Sequence, residues 1–362
     1  FDYKMTTYNT LPLRLSYSQP FTSYNEWKWR KKTEPKEYEK AKRVYQENIE
    51  DIAIKVSSLY FAAISALSDY QQSLAKSQDL EELYRISQRR LELGTITKGD
   101  LLQLELSKLN AKVTVNEAKV KLNDSLYDLF SYMRVTDYEH ANLLPPENVL
   151  DMVLNVNDVL LKARTNSSHA ITQDLELIAA QQNLAKAKSA QGIQMHLNAE
   201  VGFNRTADGF AAAYSHLQDN EIIGVTVTVP IFDWGVKKGR VMVAKSNLEL
   251  AKTKREQADN DYVQSVKREV MQFSLQAAQC RTSLQAQRIS QERYDITKKR
   301  FEAGNVSVTE LNTALQELET AKSQYISQLR TYWNYYYTLR KFTLYDWVQH
   351  QELTVDFDAL VL

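Results

Sequence analysis

Residues 84–101 read YRISQRRLELGTITKGDL, and residues 294–311 read YDITKKRFEAGNVSVTEL. Overlaid at an offset of 210, without a gap, they share Tyr84/Tyr294, Ile86/Ile296, Arg90/Arg300, Glu92/Glu302, Gly94/Gly304 and Leu101/Leu311, and Asp100 meets Glu310. The same offset pairs Pro20 with Pro230, Ala41-Lys42 with Ala251-Lys252, Val56 with Val266, and Ser73-Leu74 with Ser283-Leu284. A register held from residue 20 to residue 101 marks a duplication, and a repeat fixes architecture before local propensity does.

Each copy reads as a long helical hairpin. Apolar residues fall at Ile52, Val56, Leu59, Ala63, Ala66 and Tyr70 in the first, and at Val266, Val270, Phe273, Ala277, Cys280 and Leu284 in the second. Both series step 4, 3, 4, 3, 4, the seven-residue repeat of a coiled coil. The return helices continue it through Ala111, Val115, Ala118, Leu122, Leu126, Leu129 and Met133, and through Leu311, Leu315, Leu318, Tyr325, Leu329, Tyr332, Tyr336 and Leu339. Gly94 and Gly304 can take the left-handed conformation that ends a helix. Thr97 with Asp100, and Ser307 with Glu310, then read as capping boxes that start the next one. Cys280 lies on the seam and is expected to pack as a buried small hydrophobe.

Composition agrees. Nine Gly and six Pro among 362 residues are about a third of average usage. That is too few for the frequent turns of a sandwich or propeller. The 45 Lys+Arg balance the 45 Asp+Glu, which argues against a nucleic-acid partner. A single cysteine leaves no internal disulfide or thiolate zinc site, and the five histidines fall at no ligand spacing. No nucleotide-binding or hydrolase motif is present, so neither catalytic residue nor cofactor is expected. Apolar runs are only a few residues long, too short for a transmembrane helix.

Three segments change to period two. Residues 193–204 place Leu197, Ala199, Val201 and Phe203 on one face and His196, Asn198 and Glu200 on the other. Residues 222–232 place Val225, Val227 and Val229 opposite Gly224, Thr226, Thr228 and Pro230, and residues 11–21 place Leu11, Leu13, Leu15 and Tyr17 opposite Arg14, Ser16 and Ser18. Strands of this length with full alternation fit a transmembrane β-barrel, whose spans take about 9–11 residues. The helices already turn their stripes on each other, leaving nothing to cover the sheet. Leu197, Val201, Val225, Val227 and Val229 are therefore expected to face lipid, and Arg14, His196, Asn198 and Glu200 a lumen. At offset 210 the segment 169–204 maps ahead of residue 1. The repeat thus leads us to expect a fourth strand, and roughly 40 or more residues, upstream of Phe1. Four strands cannot close a barrel, and open edges are not tolerated in lipid, so closure requires several protomers.

The motifs RLELGTITKGDLLQLEL (90–106), RFEAGNVSVTELNTALQELETAKSQY (300–325), VTVTVPIFDWGVKKGRVMVAKSNLELAK (225–252) and LRLSYSQPFTSYNEWKW (13–29) together resemble the TolC-like outer-membrane efflux protein family. The resemblance spans nearly the whole chain. It implies a mainly α protein with a transmembrane β part, a long α-helical barrel joined to a β-barrel completed by trimerisation. It implies a passive exit duct in the outer membrane of Gram-negative bacteria, extending into the periplasm and serving a tripartite efflux or type I secretion-like system. The implied partners are two further copies, outer-membrane lipid, a periplasmic adaptor and, indirectly, an inner-membrane transporter. The adaptor would meet the tips at Gly94, Thr95, Thr97, Gly304, Asn305 and Ser307. The implied periplasmic gate takes in Asp100, Phe301, Val306 and Glu310. Phe301 and Val306 replace the tyrosine and arginine of the family's best-known gate, so an apolar closure there stands in for that network. Thr313 replaces its second acidic ring.

The expected organisation is a strand and extracellular loop of the first repeat at 1–26, then its helical hairpin at 27–133 with the tip near 94–97. An equatorial segment follows at 134–168, then an upper helix at 169–192 and a β-hairpin at 193–233. The second helical hairpin occupies 234–342 with its tip near 304–307, and a C-terminal equatorial segment closes the chain at 343–362. Tyr332–Trp347, rich in aromatics, is expected to pack against that belt. The competing reading is a periplasmic coiled-coil adaptor or scaffold, which would carry one hairpin and no long alternating strands.

Overall fold

The computed structural model describes residues 7–21, 24–136, 143–144, 149, 152–229, 231–357 and 359. Phe1–Lys4, His140, Pro145, Pro146 and Pro230 lie outside the described residues. In chain order come β1 (Tyr8–Pro20), α1 (Glu26–Glu92), α2 (Lys98–Tyr132), α3 (Val156–Asn166), α4 (His169–Gln191), β2 (Gln194–Ala207) and α5 (Phe210–Ala213). After them come β3 (Gln218–Thr228), α6 (Val236–Glu302), α7 (Val308–Thr343), β4 (Tyr345–Asp346) and β5 (Gln351–Glu352). The duplication is visible in these limits. Adding 210 to the first residue of β1, α1 and α2 gives the first residue of β3, α6 and α7, and α1 and α6 are each 67 residues long.

Two compact units result, residues 1–41 with 168–261 and residues 42–167 with 262–362. The first holds the sheet, ordered β1-β2-β3 and antiparallel throughout. Its helices are tied at Asp174 of α4, which lies 2.9 Å from Lys36 Nζ and 2.8 Å from Arg255. The Lys36 hydrogen bond is the main reason the Asp174 carboxyl is held below its ordinary value. Ser168 precedes α4, but its side chain makes no capping bond.

The second unit is built on a coil of α1, α2, α6 and α7, with α3 packed on it. Val266, Val270, Phe273, Ala277 and Cys280 of α6 are buried with Leu329, Tyr332, Tyr336 and Leu339 of α7. Burial pushes the Cys280 thiol up to about 11. The seam differs from expectation at the top of α1, where Ile52 is 53% exposed and the inward positions are Glu50, Ser57, Phe61 and Ile64. α1 also contains an 18-residue stretch apolar enough, by length and composition, to cross a membrane, contrary to the reading from run length. Phe61, Ala63, Ile64 and Ala66 in its middle are buried among helices, as a coiled-coil seam requires.

The segment between α2 and α4 is not featureless. Asn155 caps α3, whose Val159 and Ala163 are fully buried against the α6–α7 aromatics. Tyr332 and Phe273 stack with ring centroids 4.9 Å apart. After α7 the chain turns at Leu344, with φ 46°, into the short β4–β5 hairpin. The aromatic run therefore packs on the α3 segment. Beside it, Arg340 lies 3.0 Å from buried Glu50 and 3.2 Å from Asp346, and Asp346 also accepts from the Tyr336 hydroxyl. Burial raises the Glu50 carboxyl, and Arg340 only partly opposes it.

Candidate channel faces and hairpin tips

The two tips are built alike. Gly94 N–H donates to Leu91 O and Thr95 N–H to Arg90 O; Gly304 N–H donates to Phe301 O and Asn305 N–H to Arg300 O. This is the two-bond helix terminus that needs a left-handed residue, and Gly94 and Gly304 stand at φ 71° and 83°. The caps that follow are unequal. Thr97 and Asp100 exchange both bonds of a capping box. Ser307 accepts from Glu310 N–H, but the Glu310 carboxylate lies 3.7 Å from Arg300 instead of returning to the cap backbone. The expected second box is therefore half formed. Asp100 is held below its ordinary value by the Thr97 hydroxyl and the Thr97 backbone N–H.

Phe301 corrects the apolar-closure expectation. It is 2% exposed, packed with Leu80, Leu83, Leu104, Leu311 and Ala314 inside the tip. A side chain enclosed by its own chain's core cannot line an opening. Val306 is partly buried against the same cluster. Asp100 and Glu310, by contrast, keep their carboxylates at the surface of the tip. Arg90 spans the two hairpins: it sits 5.5 Å from the Phe301 ring centroid and donates to Phe301 O at 3.2 Å. Asp79 does the same higher up, accepting from the Tyr294 hydroxyl at 2.6 Å and pairing with Lys298 at 2.7 Å. Sequence reasoning missed both links. The shared Arg90/Arg300 of the repeat was the available signal; Asp79 had none, since its repeat partner is Ile289.

In the sheet, register aligns the two faces across the three strands as far as Ala199↔Ile223; beyond it β3 reverses, Glu221 and Asp219 pairing with Val201 and Phe203 of the apolar face and Ile222 with Glu200 of the polar one. Leu15↔Val201, Gln19↔Leu197, Leu197↔Val225 and Met195↔Val227 share one face; Ser16↔Glu200, Ser18↔Asn198, Asn198↔Gly224 and His196↔Thr226 share the other. The apolar face is open: Leu13, Leu15, Tyr17, Val201, Ile223, Val225 and Val227 are all exposed. Val229, beyond the end of β3, is exposed too. The polar face carries a ladder. Ser18 donates to Asn198 Oδ1 at 2.7 Å, Asn198 donates to Thr226 Oγ1 at 2.9 Å, and Arg14 lies 2.6 Å from Glu200. At Gly202 an added Cβ would meet Leu13 O at 2.8 Å, so only glycine lets β1 come this close. β2 and β3 begin and end at other residues than alternation suggested, β3 already at Gln218, and the short helix α5 fills their connection.

Comparison with known proteins reaches the same fold. The outer membrane efflux protein family model matches residues 162–343, which is half of the chain. No curated protein sequence matches. Among solved structures, the Campylobacter jejuni CmeC outer membrane channel superposes with a TM-score of 0.74 at 15% identity, over 98% of this chain and 79% of its own. The outer membrane protein VceC of Vibrio cholerae gives 0.72 at 13%, over 96% and 86%. The open state of the Neisseria gonorrhoeae MtrE outer membrane channel gives 0.67 at 14%, over 97% and 83%. At these identities the superpositions speak for the fold. The family match covers the second repeat, and the offset of 210 carries its pattern into the first: the chain belongs to the outer membrane efflux protein family, a family of transport channels and not of enzymes.

Proposed function

We propose that the protein is one protomer of a homotrimeric exit duct that passively conducts small molecules or proteins from a periplasmic machine to the exterior. The machine is of the tripartite efflux or type I secretion-like kind. The observation that carries the reading is the sheet of the first unit between Met195 and Ala199, where one face is apolar across three strands and largely exposed, and the other is polar and laddered. Only an apolar surrounding outside and water inside suit both faces at once. On this reading Leu197, Val201, Val225, Val227 and Val229 meet outer-membrane lipid, and Arg14, His196, Asn198 and Glu200 line the lumen. The segments 27–133 and 234–342 are periplasmic hairpins. Their tips, Gly94, Thr95, Thr97, Gly304, Asn305 and Ser307, dock an adaptor protein that couples the duct to an inner-membrane transporter. Asp100, Val306 and Glu310 narrow the periplasmic end, with Phe301 as the packing beneath them.

The test is assembly and export together. The native protein, extracted from membranes in detergent, is expected at three times its chain mass, and cells carrying it are expected to export a toxic substrate. A monomeric or dimeric mass, or extraction in plain buffer, refutes the duct. For the gate, Glu310→Gln is expected to weaken cation selectivity in planar bilayers. Unchanged selectivity would leave Glu310 with its Arg300 contact and nothing more.

A further inference from the structure

Between α1 and α7 the second unit leaves a cleft of about 530 Å³. Two ties bracket it: Arg330 donates to Ser58 Oγ at 2.7 Å on one side, and Lys76 lies 3.1 Å from Glu319 on the other. Between them Ile64 and Leu67 of α1 face Tyr325, Ile326 and Leu329 of α7. Ile64 and Leu329 are buried, and the other three are half-buried. After Leu67 the same face of α1 passes to Ser68, Gln71, Gln72 and Ala75, so no large apolar side chain is left to fill the gap. Leu143 and Leu144, ahead of α3, form a further wall, and Leu144 O accepts from the Tyr60 hydroxyl of α1.

The polar groups of this cleft are left unanswered. Lys322 is the one charged residue among its described walls, is half-buried, and pairs with no carboxylate among the described residues. Gln287 of α6 lines the same cleft, and its Oε1 is buried without a hydrogen bond among the described residues. A buried acceptor is costly until a donor reaches it, and a rotation of the amide presents this oxygen to an occupant. Tyr325 keeps its proton, since burial raises its phenol, and so offers a donor of its own. The neighbouring groove across α1, α2 and α7 is different. There Lys121 lies 2.9 Å from Asp69, and Lys76 pairs with Glu319, so its charges answer each other.

We propose that this cleft binds a small amphipathic organic anion. Its apolar body lies between α1 and α7, its acidic head meets Lys322, and an N–H or O–H group serves Gln287. The volume is that of a small-molecule site, which takes roughly 300–1,000 Å³ and combines apolar walls with a few polar groups. A cation finds no carboxylate in the described walls. A purely apolar guest would cover Lys322 without a counter-charge and leave Gln287 unanswered. The occupant touches α1, α6 and α7 together and so joins the two hairpins of one chain. On the reading as an exit duct, a solute bound here acts on the channel wall without entering the lumen. The site itself does not depend on that reading.

The experiment uses two fluorescent probes, anilinonaphthalene sulfonate, an aromatic anion with one N–H, and phenylnaphthylamine, which has the same body and no sulfonate. Both are titrated into the purified native protein in lipid nanodiscs, against empty nanodiscs. The sulfonate is expected to saturate at one site per chain. Lys322→Gln is expected to weaken it about tenfold, as loss of one charge-assisted hydrogen bond implies. Lys322→Arg is expected to keep it, and neither variant to change binding of the uncharged probe. Ala75→Trp, which fills the cleft, is expected to abolish saturable binding of both. The sulfonate is also expected to raise the unfolding temperature of the wild type but not of Ala75→Trp. Absence of saturable sulfonate binding to the wild type overturns the site, as does equal binding to the wild type, Lys322→Gln and Ala75→Trp. Equal affinity for the two probes, with Lys322→Gln silent, overturns the assignment to an anion. The mass of the native assembly, read on the same preparation, tests the duct separately.

Discussion

Gly94 and Gly304 resist a side chain for one shared reason: their φ of 71° and 83° lies in the left-handed region. Space is not the obstacle, since nothing lies within 4 Å of a Cβ at Gly94, and at Gly304 the nearest atom is Arg90 Nη2 at 3.4 Å, an ordinary contact with the end of a flexible side chain. Alanine at either is expected to cost about 1 kcal/mol of backbone strain. The check is thermal unfolding of the two variants in detergent, which should lose stability alike, in the wild type and in an Arg90→Ala background. Thr97 offers a pH-dependent test. Losing an N-cap hydroxyl costs about 1 kcal/mol, and here it also removes the larger of the two Thr97 hydrogen bonds that hold the Asp100 carboxyl low, the backbone N–H bond remaining. A carboxyl depressed on folding stabilises the fold above its ordinary value, 3.8 for Asp100, and that contribution disappears as pH falls through the lower folded value. The stability gap between the wild type and Thr97→Ala is therefore expected to be full at pH 7 and smaller near pH 3.

At the scale of elements, the strands give the sharpest contrast. Val227 and Thr226 are neighbours in β3 but point to opposite faces, opposite Met195 and His196. Arginine at Val227 is expected to cost roughly 2–4 kcal/mol of membrane assembly, while arginine at Thr226 is tolerated. Heat-modifiable trimer yield from outer membranes measures both. Arg340 sets a second test. Arg340→Met strands Glu50, buried with its other carboxylate oxygen unpartnered, and is expected to cost about 3–5 kcal/mol. Arg340→Met with Glu50→Gln is expected to recover most of it, as read by thermal unfolding.

Element identity was legible because each element has a period. The heptads of α6 and α7 and the alternation of β2 are written in consecutive residues, and the tips are written in Gly94 and Gly304. Contacts between chemically unlike groups far apart in sequence had no such signature. Glu50 is buried off the apolar heptad read from Ile52 onward and is kept there by Arg340, 290 residues away. Phe301 read as a pore residue only through the family resemblance, but its inward direction is set by Leu80, Leu83 and Leu104 of the other hairpin. The short elements α3, α5 and β4–β5 are below the length at which a pattern emerges.

For the molecule as a whole, the two 67-residue helices, equal to the residue, couple the lengths of parts distant in sequence. Removing one heptad from α1 and one from α2 would draw the first tip back by about 10 Å, at about 1.5 Å per residue. Arg90 could then no longer reach the Phe301 carbonyl, and the two tips would present an uneven rim. Such a shortened variant is expected to reach the outer membrane and fail in export. Taking a heptad from α6 and α7 as well is expected to level the rim again and restore the Arg90 contact. Export would then return only where the adaptor can span the extra gap. Natural insertions and deletions in these coils are accordingly expected to come in matched sets of four, one for each helix, and a sequence carrying only one of them would betray a misaligned reading frame or a dead gene.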